Sequence, residues 1–379
     1  MHIVIVQTAL SYLDNRTYNR QEIGLAKALS NHGYKVSLIF AGKKERIENV
    51  CNNVDIYYLR CYKFNQQIGV YRNLWQTLDL LHPDLLQIHE IGMFMSYSAF
   101  KWSQSRNIKC VLIQGPYELT RKNIFRQFEF LFDKVFGTYI LKHIAGVGCK
   151  TRAATSFLKK FYNRNYLPTP VGLDESRFFM KENNVDIKAR YGIKANSKVL
   201  LYIGVIEGRR HVDVLIKALS KLPNTFVLLI VGNGNEKRSI MDLVKSLHIE
   251  DRVYFIPKQP QENLPSIYSV ADLFLLASDY EIYGMVILES MYYNVPVLST
   301  MTGGAKSLIK DNETGYLIGS LNSDDWASKM KNIFENMELY CKIKSTVHDY
   351  VVNNLLWNKT CMNYITLYNK ALDEDNKLD

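Results

Sequence analysis

Acidic residues are scarce in the first half of this sequence. Residues 1–170 hold 23 Lys and Arg against 11 Asp and Glu, a net of +12, while the remainder holds 24 against 26, a net of −2. The whole excess of positive charge therefore sits in the first half, which is expected to face something anionic or to tolerate a basic surface. Cysteine is sparse as well: Cys51, Cys61, Cys110, Cys149, Cys341 and Cys361 are scattered and form no C-x-x-C pair. That argues against a metal ribbon or a disulfide framework and for reduced, mostly buried thiols. No apolar stretch approaches the roughly 18 residues that a spanning helix needs. The opening MHIVIVQTAL is too short, and lacks the basic front, for a secretion signal. A soluble, cytoplasmic protein is expected. No segment is low in complexity, which argues against disorder.

What is present is a large apolar fraction, 47% of 379 residues, enough for two domains. Short β-rich runs alternate with helical stretches. Strands are expected at Ile3–Val6, Val36–Phe40, Leu85–Ile88, Cys110–Ile113 and Ile144–Val147. Between the first two, Ile23, Leu25, Ala26 and Leu29 fall on one helical face, and Gly33 lies near its end. The pattern breaks at YLPTPVGLDESRFF (166–179) and restarts with VLLYIGV, FVLLIVG, VYFIP, DLFLLAS and VPVLS. This predicts an α/β protein of two doubly wound, Rossmann-like parallel-sheet domains, over 1–175 and 181–357. Such sheets bind ligands at the carboxyl ends of their strands, so a central cleft between the domains is expected.

Nicotinamide chemistry lacks its fingerprint. VGNGNEK places Lys237 where a third glycine would stand, and TGGAKS has Ala305 in place of the P-loop glycine before Lys306. SDYEIYGMVILESMYYNVPVLST (278–300) is more informative. Gly284 falls at a strand-to-helix turn, where the chain can approach a ligand closely. The first amides of the following helix, at Met285 and Val286, suit a phosphate. Glu281 precedes the helix and faces the ligand space, whereas Glu289 lies more than a turn inside, where it could accept ribose hydroxyls. In YIGVIEGRRHVDVLIKAL, a strand ends at Gly204, and Arg209 and Arg210 precede a helix. Two adjacent guanidinium groups suit a diphosphate. A solvated glutamate pair and a solvated basic pair are the plainer alternatives for each stretch.

In that order and spacing, residues 200–318 resemble the nucleotide-sugar domain of retaining glycosyltransferases of family four, the glycosyl transferases group 1. The first half resembles the family through LDNRTYNRQEIGLAKALSNHGYKVSLI and HPDLLQIHE, and LLWNKTCMNYITLYNKAL resembles its closing helix, about 358–373, which returns to the first domain. The resemblance implies a GT-B fold and transfer of a sugar from a UDP- or GDP-linked donor. It implies that Glu281 meets the sugar hydroxyls and Glu289 the ribose. Arg209, Arg210, Gly204 and the backbone of Gly284, Met285 and Val286 would hold the diphosphate without a metal or other cofactor. His89, Glu90 and Gln114 are the polar candidates on the acceptor side, His89 and Arg210 being counted with Glu281 as catalytic. The chain departs from the family pattern at Val205, Ile282, Asn294 and Ser307, which bears on donor identity and activity. The only D-x-D, Asp373–Asp375, lies in the polar tail and is expected to be solvated.

Tyr117 to His143 combines Arg121, Lys122, Arg126, Lys134 and Lys142 with Phe125, Phe128, Phe132 and Phe136 at helical spacing. A basic, aromatic amphipathic surface suits an anionic membrane leaflet, where related enzymes often meet lipid-linked acceptors. The expected function is glycosyl transfer to a glycan or polyprenyl-linked acceptor in surface polysaccharide synthesis, at the inner face of the membrane. A sugar-nucleotide epimerase and a catalytically silent relative are the alternatives. Nothing resembles a nucleic-acid module.

Overall fold

A computed structural model describes residues 1–8, 20–63, 69–119, 124–177 and 186–373. The chain divides into two compact units. The first comprises Met1–Asp14, Arg20–Gly172 and Trp357–Asp379, and the second Asn15–Asn19 with Leu173–Leu356.

The first unit holds β1 (His2–Val6), β2 (Lys35–Ala41), β3 (Arg46–Cys51), β4 (Val54–Leu59), β5 (Cys61–Lys63), β6 (Gly69–Tyr71), β7 (Leu85–His89), β8 (Lys109–Gln114), β9 (Gly146–Cys149) and β10 (Leu167–Pro168). Its main sheet runs β10-β9-β8-β7-β1-β2-β4-β3, and β5 and β6 form a separate hairpin. All pairs of the main sheet are parallel except β3 with β4. The continuous apolar runs seen in the sequence are strands covered on both faces: Ile3, Val4, Ile5 and Val6 are wholly buried. The helix Trp357–Asp373 packs across β8 and β9 and against the helix Gln21–Asn31. A Cβ added at Gly24 would lie 2.2 Å from the Trp357 indole nitrogen, so only glycine admits that contact.

The second unit holds β11 (Lys198–Ile203), β12 (Phe226–Val231), β13 (Val253–Ile256), β14 (Leu273–Leu276), β15 (Val297–Thr300) and β16 (Tyr316–Ile318). They form one all-parallel sheet in the order β13-β12-β11-β14-β15-β16. The sequence starts at β11, grows outward to β13, then returns to β11's other side at β14. The direction of winding reverses there, and open α/β sheets leave their ligand crevice at such a point.

One local expectation is corrected. The strand expected at Ile144–Val147 begins at Gly146, because the preceding helix runs to His143 and Arg164 donates to its closing carbonyls, Leu141 and Ile144, at 2.8 Å each. Gly303 and Gly304 form the first turn of the helix Gly303–Leu308, capped by Thr302, whose hydroxyl accepts from the Ala305 amide at 3.2 Å. Before β16, which pairs parallel with β15, the chain turns through Asn312 (φ 60°).

Candidate functional site

The carboxyl ends of β11 and β12 are drawn together by backbone. Gly204 N–H donates to Val231 O at 3.0 Å, and a Cβ at Gly232 would lie 1.9 Å from Gly204 O. Beyond Gly204, residues Gly208–Arg210 make one 3-10 turn, and His211 adopts the left-handed conformation (φ 44°) before the helix Val212–Ser220. Beyond β14, Ser278–Gly284 forms a loop that the Arg209 main chain stitches to this turn. Asp279 N–H donates to Arg209 O at 3.0 Å, and the Ser278 hydroxyl donates to the same oxygen at 3.3 Å. His211 Nε2 lies 2.7 Å from Asp279 Oδ1.

The two arginines so placed differ in setting. Arg209 is half-exposed and pairs with Glu207 at 2.6 Å. Arg210 is mostly buried; its guanidinium forms an ion pair with Glu281, donates to the Ser278 hydroxyl at 3.4 Å and lies 3.8 Å from Glu207. Glu281 is 8% exposed and Glu289 3%, so neither is the solvated surface residue of the plainer alternative. Burying an ion pair costs desolvation that mutual attraction only partly offsets, which makes a mostly buried Arg–Glu pair a poor stabiliser and a good candidate for function.

The loop ends at Gly284, whose φ of +85° suits glycine and turns the chain into the helix Met285–Tyr292. Ile287 N–H bends back to Gly284 O at 2.9 Å, so Met285 and Val286 supply the open N–H groups of this helix end. One turn further in, Glu289 Oε2 accepts from the Tyr268 hydroxyl at 3.3 Å, and Oε1 accepts from Gln261 Nε2 at 3.5 Å. Burial, and then the Glu289 charge, push the Tyr268 phenol well above its usual range, so it stays a donor. Gln261 Oε1 is buried and has no hydrogen-bond partner. Sequence reasoning missed Gln261 and Tyr268, which precede β14 and meet Glu289 only through the fold.

The first unit has its own reversal of winding, between β1 and β7. His89 closes β7 there, and Glu90 follows in the left-handed region (φ 62°), a conformation that costs a branched or long side chain free energy. The His89 carbonyl accepts from the Thr8 and Ser96 hydroxyls at 2.5 Å each. Gln87 Oε1 accepts from the Tyr368 hydroxyl at 2.5 Å, which turns the Gln87 amide NH2 toward His89 Nε2, 3.1 Å away. The imidazole therefore accepts at Nε2 and carries its proton on Nδ1. Both residues keep partial exposure, yet protein surrounds them; desolvation lowers the His89 imidazole to about 4 and raises the Glu90 carboxyl. Gln114 is buried and turned to its own loops: it accepts from Ile91 N–H at 3.1 Å and donates to Pro116 O at 2.9 Å.

Residues 183–348 match the family described as glycosyl transferases group 1. This segment belongs to that family. The group 1 segment lies in the second unit and contains every site residue described there. Over 203 residues, 53% of the chain, the sequence is 32% identical to N-acetyl-alpha-D-glucosaminyl L-malate synthase of Bacillus anthracis, and the match spans 53% of that relative. Over 189 residues it is 27% identical to D-inositol 3-phosphate glycosyltransferase of Mycobacteroides abscessus, spanning 42% of it. The chain thus aligns with about half the length of these curated relatives. Among solved structures, sucrose-phosphate synthase from Thermosynechococcus elongatus matches with a TM-score of 0.79 at 18% identity, covering 98% of this chain and 99% of that one. HepE of Anabaena, solved with UDP, matches at 0.77 and 15%, covering 97% and 100%. The fold is GT-B.

Proposed function

We propose that this protein is a retaining glycosyltransferase that moves a sugar from a UDP- or GDP-sugar to a glycan or polyprenyl-linked acceptor in surface polysaccharide synthesis. The observation that carries the reading is the gathering of Arg209, Arg210, Glu281 and the open amides of Met285 and Val286 where the winding of the second sheet reverses. As the bond between the anomeric carbon and the phosphate oxygen breaks, negative charge grows on the departing diphosphate. Guanidinium groups and helix-end amides already fixed in place stabilise that charge without reorganising, and they take the place of a divalent cation. Arg210 turns to the diphosphate and Glu281 to the sugar hydroxyls. Glu289 and Gln261, both buried, receive the nucleoside. Support comes from HepE, solved with UDP-glucose, and from a structural neighbour, WaaG, described as a glycosyltransferase of lipopolysaccharide biosynthesis.

The membrane part of the reading rests on the first unit. Phe128, Leu131 and Val135, three and four residues apart, are each more than half exposed, with Lys134 beside them. No helix among the described residues is long and apolar enough to cross a membrane, so this face is read as lying on a surface. Arg121 and Lys122 lie outside the described residues, as does Asp375 of the D-x-D.

Thermal shift against UDP-, GDP-, ADP- and TDP-sugars tests the donor class. Incubation with the stabilising donor alone, and then with added acceptor and EDTA, tests transfer. Product that needs an acceptor and survives the chelator is expected, whereas epimerised donor without acceptor would overturn the assignment. Arg210→Ala is expected to weaken nucleotide binding about tenfold. Glu281→Ala should abolish transfer and leave nucleotide affinity within a few-fold, as calorimetry with UDP or GDP would show.

A further inference from the structure

The carboxyl edge of the first sheet carries a second feature that none of the residues above uses. A cavity of about 250 Å³ opens beyond β2 and β4, lined by Gly42, Lys43, Arg60, Cys61, Tyr62 and Arg72. Three of these six residues are cations and none is an acid.

The three cations come from backbone segments that are tied to one another. Gly42 N–H donates to Leu59 O at 2.8 Å, which sets Lys43 beside Arg60. Arg72 N–H donates to Arg60 O at 2.8 Å, next to the Cys61–Tyr71 pair of the hairpin, which sets the two arginines opposite each other. A Cβ at Gly42 would fall 2.8 Å from both Lys44 O and the Tyr58 Cβ, so the chain is pressed against its neighbours and cannot drift apart there. Like charges placed directly across a hairpin repel and destabilise it.

Elsewhere in this unit exposed arginines have found carboxylates: Arg46 pairs with Glu48 at 3.3 Å and Arg106 with Asp79 at 2.9 Å. Lys43, Arg60 and Arg72 have none among the described residues. The arrangement holds three positive charges over a small cavity at the edge where parallel sheets take ligands, and it leaves them unneutralised. Tyr62, 61% exposed, adds an aromatic face on the rim. The cavity is smaller than those that enclose a whole cofactor, and suits a single phosphoryl group. Paired guanidinium groups fit its tetrahedral oxygens in fork-like contacts.

We propose that Lys43, Arg60 and Arg72 form an acceptor subsite that binds a phosphoryl group, with Tyr62 against the adjoining part of the acceptor. Calling the ligand an acceptor rests on the glycosyl-transfer reading; phosphoryl binding itself does not.

The test uses the full chain at low ionic strength, where charge attraction is least screened. Inorganic phosphate is titrated by calorimetry into the wild type, into Arg60→Ala/Arg72→Ala and into Arg46→Ala/Arg106→Ala, which removes the two carboxylate-paired arginines of the same unit. The wild type is expected to bind, the first double variant about tenfold or more weakly, and the second like the wild type. Both substituted arginines of the first variant are exposed, and an unchanged melting temperature shows that it folds. No binding to the wild type, equal binding to the first variant, or loss in the second variant alone overturns the proposal. A parallel arm uses phosphatidylcholine vesicles with and without polyprenyl phosphate. Sedimentation that needs both the polyprenyl phosphate and the two arginines assigns a lipid-linked acceptor. Binding of free phosphate with no such sedimentation assigns a soluble one. UDP affinity, measured on the same samples, reports on the transfer reading separately: a chain that binds phosphate through Arg60 and Arg72 but not UDP retains the subsite and loses that reading.

Discussion

His89 shows how one side chain's surroundings fix its chemistry. Its imidazole is lowered to about 4 from 6.5 by desolvation, and the Gln87 amide occupies Nε2. Between those two values the unfolded chain binds a proton that the folded chain refuses, so this residue's contribution to stability falls as pH drops from about 6.5 to about 4. Glu90 opposes this, since its raised carboxyl takes up a proton in the folded state first. The difference between wild type and His89→Gln isolates the histidine. Urea midpoints at pH 7 and pH 5 should converge in the variant relative to the wild type, and parallel losses in both would contradict the neutral, desolvated imidazole. Glu289 gives a second residue-scale expectation. Tyr268→Phe removes a side-chain donor to this buried carboxylate, a cost of about 1–3 kcal/mol in denaturant unfolding. If Glu289 and Gln261 meet the nucleoside, Gln261→Leu should weaken nucleotide binding, and because it also removes the Nε2 donor to Glu289 it should cost no more stability than Tyr268→Phe does.

At the scale of elements, the second unit's site depends on loops that touch through backbone. A Cβ at Gly304 would lie 2.4 Å from Tyr283 O, and Gly304 N–H donates to Glu281 O at 3.0 Å. Neither contact can be relieved by turning a side chain, so Gly304→Ala should push the Glu281 loop away from the helix Gly303–Leu308. The expected loss is about 1–3 kcal/mol of stability, together with weakened donor binding. Unchanged UDP or GDP affinity in a folded Gly304→Ala protein would separate this helix from the site. The sequence made such elements legible where the signal was local. Runs such as Phe226–Val231 announced strands covered on both faces, and the glycine before MVILES announced a helix start. Asn294, a departure from the family pattern, takes the left-handed conformation (φ 58°) that a glycine there would supply. The aromatic stripe of the first unit was legible only in part. Phe132 and Phe136 pack with tilted rings whose centroids are 4.8 Å apart, and Phe136 packs on Tyr97, whereas Phe128 is exposed. A π-helical turn at Asp133–Gly137 shifts the helical phase, and a fixed 3.6-residue period does not foresee that. The Gln261–Tyr268–Glu289 group was illegible because strand order, not spacing, brings those residues together.

At the scale of the whole molecule, chain order and packing order disagree, and this has a mechanical consequence. The last helix, Trp357–Asp373, belongs to the first unit although the entire second unit separates them in sequence. Its Tyr364 hydroxyl donates to Thr169 O at 3.1 Å, its Tyr368 hydroxyl to Gln87 at 2.5 Å, and Trp357 fills the space left by Gly24. Trp357, Cys361, Tyr364, Leu367 and Tyr368 are all 5% exposed or less, so removing the helix would bare a broad apolar strip over β8 and β9. At about 25 cal/mol per Å² of apolar surface, and roughly 150–250 Å² for each large aromatic, that loss exceeds the whole stability of an ordinary domain. The second unit closes on itself before this helix begins: Leu173 N–H donates to Leu355 O at 2.8 Å, so its two chain ends are tied together. A chain cut after Leu356 should therefore keep a folded second unit and lose the first. Hydrogen exchange is the direct reading. Amides of β11 to β15 should stay protected in the truncated chain while those of β1, β7 and β8 exchange freely, and the reverse pattern, or uniform protection, would mean that the closing helix does not hold the first unit together.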